Sequence, residues 1–119
     1  MPTISKDHLS SSTDGAPIAL PINTGTFQTL HTGPTSANDM DELWVWGCNA
    51  TGVSEETVTL RLGGTGNSNK IKATIGPNQT VLLVPGIPIQ GNGTPLVLDG
   101  ASTTADKVNI FGYVNKIVG

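Results

Sequence analysis

Charge is scarce in this chain: Lys, Arg, Asp and Glu make 13% of its 119 residues, about half the usual share of a globular domain. Six basic residues are scattered among nine acidic ones, for a net charge of −3. No basic cluster is present to face phosphates, so nucleic acid is not an expected partner. No apolar run approaches the roughly 18 residues of a membrane span, and a membrane is not an expected partner either. The opening residues Met1 to Asp14 lack the charged and then apolar sections of a secretion signal, so a cytoplasmic origin is expected. The single cysteine, Cys48, leaves no internal disulfide, in keeping with a reducing compartment. Aromatic side chains number five. The two histidines, His8 and His31, stand in no recognisable catalytic setting, and an enzyme is not expected.

The chain is instead rich in turn formers and β-branched residues, with 15 Gly, 8 Pro and 16 Thr. That composition disfavours long helices and favours strands broken by turns. The length fits one domain that buries a modest core and gains from oligomerisation. Residues 1–17 contain Ser10, Ser11, Ser12, Thr13, Asp14 and Gly15 without periodicity, and are expected to form an extended or disordered N-terminal arm. Fully extended, such an arm reaches roughly 55 Å, enough to cross a neighbouring subunit. It is expected to order only on a partner. Residues 18–119 then read as a succession of short strands.

Segments 18–20 and 25–31 are weak strand candidates, and 32–41 reads as a loop from Gly33, Pro34, Asn38 and Asp39. Residues 42–49 form the strongest strand, because Leu43, Val45 and Gly47 alternate with Trp44, Trp46 and Cys48. Both of its faces are apolar, which demands cover on both sides. Segments 57–62 and 69–75 alternate apolar with polar residues and are joined by a loop bearing Gly63, Gly64 and Gly66. Residues 80–84 form an apolar strand stopped by Pro85 and Gly86. Ile87 to Ile89 then form an edge-like piece, since Pro88 donates no ladder bond. Residues 96–98 give a short strand, 99–106 a polar loop, and 107–116 a closing strand. The expected fold is all-β, a single antiparallel β-sandwich, jelly-roll-like or Ig-like, of about eight strands.

The chemistry on offer is thin. His31 is within reach of Asp39 or Asp41 across its loop, but reads better as a solvated loop histidine. Glu55 and Glu56 read as a solvated turn, since adjacent strand residues point apart. Asn38, Asp39, Asp41 and Glu42 lack the ligand count and central glycine of a calcium loop. Cys48 has no cationic neighbour and reads as a buried structural thiol. No catalytic residue, metal or cofactor is expected. Trp44 and Trp46 share one strand face, as do Phe111 and Tyr113, and adjacent placement of the two strands would make one aromatic patch. That patch is either the core between two sheets or a contact with a subunit or a carbohydrate.

Three segments, 41–49 (DELWVWGCN), 81–88 (VLLVPGIP) and 109–117 (NIFGYVNKI), resemble small structural proteins of tailed bacteriophages. The resemblance spans about residues 40–118, and the closing Gly-Tyr-Val-Asn followed by a basic residue and Ile is its most particular element. It implies a virion component assembled in the bacterial host cytoplasm: a decoration or cement protein that binds the major capsid protein on the head's outer surface and works as a homotrimer. Trp44, Trp46, Phe111 and Tyr113 are then the expected oligomer or partner interface, with Thr3, Ile4, His8 and Leu9 of the arm contacting the capsid. A tail or fibre module, either a glycan-binding sandwich or a tail-tube or connector subunit, is the alternative.

Overall fold

A computed structural model describes residues 2–119. Met1 of the expected arm lies outside the described residues. The chain folds into two packed sheets. Sheet I runs in the order β1 (Thr3–His8), β9 (Val108–Val118), β4 (Asp39–Asn49), β7 (Thr80–Gln90), with the two-residue β2 (Ile18–Ala19) also on β9. Sheet II runs β3 (Gln28–Thr32), β8 (Val97–Ser102), β5 (Glu56–Leu62), β6 (Lys70–Ile75). The ladders are antiparallel, and one isolated parallel bridge joins Ile22 to Ser102. The fold is therefore the all-β, single antiparallel sandwich that the alternation and turn spacing imply.

The core is the space between the sheets, filled by one side of each alternating strand. Leu43 and Val45 of β4, Val108, Ile110 and Val114 of β9, Val58 and Leu60 of β5, and Leu98 of β8 are fully buried there. Gly47 and Gly100 occupy crowded points of this layer. A Cβ at Gly100 would stand 2.7 Å from Leu60 Cδ2, and one at Gly47 2.8 Å from Leu83 Cδ1. Side-chain volume at either position would push the sheets apart.

Several strands run further than the sequence reading allowed: β4 begins at Asp39, inside the expected 32–41 loop, β9 runs on to Val118, and β7 and β8 extend most. β7 continues through Pro85 and Gly86 to Gln90, because two register shifts against β4, at Leu43/Trp44 and Val45/Trp46, absorb the irregularity. As an edge strand it also tolerates the missing amides of Pro85 and Pro88. β8 takes in Asp99 to Ser102, expected as a polar loop. Gly100, Ala101 and Ser102 are buried, and Asp99 accepts two hydrogen bonds from Arg61 on β5, at 2.8 and 2.7 Å. The Arg61 guanidinium also lies 3.7 Å from the Phe27 ring centroid.

The arm departs most from expectation. Rather than ordering only on a partner, Thr3–His8 pairs with β9 over six unbroken positions, Thr3 opposite Val118 through His8 opposite Tyr113. All six residues are exposed, so the ladder, not apolar burial, holds the strand. Leu9 then drops into the core, 1% exposed. Ser10 fixes the exit: its Oγ accepts the Thr32 N–H at 2.8 Å, and its own N–H donates to His31 Nδ1 at 3.0 Å.

Candidate functional site

The histidines and carboxylates can be placed first. His31 is not a solvated loop residue. It is 1% exposed, with Nε2 2.7 Å from Asp41 Oδ2 and Nδ1 accepting the Ser10 amide proton. The amide pointing at Nδ1 assigns the ring proton to Nε2, which donates to Asp41. Ser, His and Asp thus meet, yet through the serine's amide rather than its hydroxyl, and the ring has no open nitrogen or solvent path with which to move a proton. The trio is a clasp between the arm, β3 and β4.

Glu56 is likewise buried rather than in a solvated turn. Its two carboxylate oxygens accept the Thr104 N–H at 2.8 Å and the Thr104 hydroxyl at 3.2 Å, closing the β8–β9 connection. Strand alternation divides the acidic run, placing Asp41 on the inner face of sheet I and Glu42 on the outer. Among the described residues no three His, Cys, Asp or Glu side chains converge as a metal site. Cys48 is half-buried on the outer face, not buried in the core.

The remaining candidate is that outer face. Register sets Trp44 opposite Tyr113 and Trp46 opposite Phe111 across β4 and β9, so the two aromatic pairs form one patch, on the side of sheet I away from sheet II. Centroids of Trp44, Trp46 and Tyr113 are 6.0–6.4 Å apart, with ring planes 13–27° from parallel, within the attractive range for offset rings. Phe111 extends the patch and is 40% exposed. Lys6 of β1 holds its Nζ 4.7 Å above the Tyr113 ring. The Trp44 Nε1–H donates to Glu42 Oε1 at 2.7 Å, and the Asn115 amide donates to the same oxygen at 2.9 Å. These bonds, Trp44's first, hold the Glu42 carboxyl below its ordinary pKa against a smaller opposing effect of desolvation.

The neighbouring strands widen the patch. Leu82 on β7 lies opposite Trp46 and is 40% exposed, while Ile4, Ile117 and Met40 form one row across β1, β9 and β4. Gly86, at φ +72°, lets the Trp44 indole come against β7, for a Cβ there would be 2.7 Å from Trp44 Cζ2. Sequence alternation identifies the four aromatic residues. It misses Leu82, Met40, Ile117 and Ile4, whose membership depends on which strands are neighbours. Of the arm residues expected at a capsid contact, Thr3, Ile4 and His8 are exposed; Leu9 is not available, because it belongs to the core.

No family model and no curated protein matches the chain. Among solved structures, the sandwich is similar to part of a chain of the T13 infectious bursal disease virus particle, with TM-score 0.54 and 11% identity over 98% of this chain. This chain spans 31% of that one. Weaker likenesses are to the CBM36-1 domain of a xylanase from the hindgut metagenome of Trinervitermes trinervoides and to the Tobacco streak virus coat protein. The first has TM-score 0.45 and 16% identity over 98% of both chains. The second has TM-score 0.40 and 14% identity over 99% of this chain and 86% of that one. At these identities the likeness is one of fold.

Proposed function

We propose that this chain is a non-enzymatic virion structural protein, a decoration or cement protein of the outer surface of a tailed-phage head. It acts there as an oligomer, with a homotrimer as the working form and the major capsid protein as partner. One observation carries the reading. The three segments that resemble phage structural proteins fall on β4, β7 and β9, three adjacent strands of one sheet, and together they bear the aromatic outer face. The resemblance thus gathers on a single surface, where Trp44, Trp46, Phe111 and Tyr113 are the oligomer or partner interface. Thr3, Ile4 and His8 serve as the capsid-contacting part of the arm. A sandwich stapled by its own ladders and presenting several weak contacts suits cementing, since linked contacts gain effective concentration.

The test mixes the purified protein with expanded phage heads that lack it and images the particles. Saturable density at local or quasi three-fold positions is expected. Heads that stay bare while the protein forms six-fold rings would overturn the reading in favour of a tail component.

A further inference from the structure

The outer face of sheet I is largely apolar. Its apolar rows are Ile117 and Met40, with Ile4 at the β1 rim; then Tyr113 and Trp44, with His8 at that rim; then Phe111, Trp46 and Leu82. The polar row of Lys6, Asn115 and Glu42 lies between the first two. Among the described residues, Lys6 and Glu42 of that polar row are engaged within the chain, Lys6 over the Tyr113 ring and Glu42 with Trp44 and Asn115. The Trp44 indole N–H keeps its acceptor when the aromatic rows are covered, which lowers the cost of desolvating them. Left in water, the face is the kind of patch that marks a contact surface.

We infer that the occupant of this face is another copy of the chain, with the sheet I faces of the subunits turned toward the oligomer axis and packed on their neighbours. The inference rests on the oligomeric part of the proposed function and supplies the contact through which it forms. Area is the first argument. The 6 residues of β1 and the 11 each of β9, β4 and β7, at about 3.4 Å per residue and about 4.8 Å between strands, give a face of about 640 Å². That is about a tenth of the 6190 Å² accessible surface, close to the roughly 800 Å² per partner and ∼10% of surface typical of stable interfaces. Charge is the second argument. With Lys6 and Glu42 engaged within the chain, the face presents mostly apolar surface, which a second copy matches apolar to apolar.

The experiment is sedimentation velocity on the full chain at micromolar concentration, alongside Leu82→Glu and Phe111→Glu. Both side chains are 40% exposed, so the fold should tolerate either change. Val53→Glu, at an 89% exposed site off the face, is the control, and far-ultraviolet circular dichroism verifies the sandwich in each. The parent and the control are expected to sediment as one oligomer and both face variants as folded monomers. Cys48, which lies on the same face, should react several-fold faster with a thiol reagent in the face variants. A monomeric parent would overturn the inference, as would an oligomer that survives both substitutions. A monomeric parent whose Cys48 is shielded only by added phage heads, or whose tryptophan emission shifts only with glycans, would overturn it and name the occupant. An oligomer lost in the face variants that nevertheless leaves heads bare would uphold this contact and defeat the decoration reading instead.

Discussion

Replacing His31 by alanine removes the one side chain that joins the arm, β3 and β4. The substitution leaves the Asp41 carboxylate, 7% exposed, without its donor, and the Ser10 amide without its acceptor. Orphaning a buried charged group together with the lost packing costs about 3–5 kcal/mol. For 119 residues the unfolding entropy near the midpoint is about 0.25 kcal/mol/K, so the melting temperature should fall by about 12–20 °C. Asp41→Asn is the informative companion, since an asparagine oxygen still accepts from a protonated Nε2. It should cost only about 1 kcal/mol, or about 4 °C. Thermal unfolding followed by circular dichroism measures both. If Asp41→Asn is as damaging as His31→Ala, the ring carries a proton on each nitrogen and the hydrogen-bond assignment is wrong. If His31→Ala is harmless, the clasp holds nothing.

Other consequences follow from the outer face. Gly86→Ala should cost about 1–2 kcal/mol from its left-handed backbone alone, more with the Trp44 contact. It should also shift tryptophan emission; an unchanged urea midpoint would show that the φ +72° turn at β7 is not required. Trp44→Phe removes the larger of the two bonds that lower the Glu42 pKa. A depressed carboxyl pKa gives stability above the unfolded value that is lost as pH falls through the folded one. The variant should therefore show Glu42 titrating at higher pH, and acid loss of structure beginning at higher pH. Carbon-13 NMR of the Glu42 carboxyl tests this, and an unmoved titration would contradict the bond.

The sandwich was legible because strand alternation is a local signal. Residues 42–49 and 107–116 give away both their span and their two faces, and the apolar character of both faces of β4 already demands a second cover. What escaped depends on long-range pairing. His31 and Glu56 look like solvated polar residues until the fold brings Asp41 and Ser10 to the first and Thr104 to the second. Asp99 to Ser102 reads as a loop because Gly, Ala and Ser carry no strand signature, yet Gly100 is required where Leu60 crowds the backbone. Pro85 and Gly86 read as a stop, although bulges carry the edge strand through. The arm lacked any periodicity because β1 buries neither face; only the free edge of β9 gives it a place.

The pairing of Thr3 with Val118 has a practical consequence. Anything joined ahead of Thr3 and anything joined beyond Val118 leaves the molecule from neighbouring points at one end, and the 50 Å long axis separates the ends of the body. A peptide linker of a few residues could therefore bridge Val118 to Thr3 and let the chain be reopened at the Gly63–Asn67 turn, giving a circularly permuted sandwich with both new ends on sheet II. A fluorescent protein or affinity tag fused ahead of Thr3 or beyond Val118 would stand on the same side of the molecule.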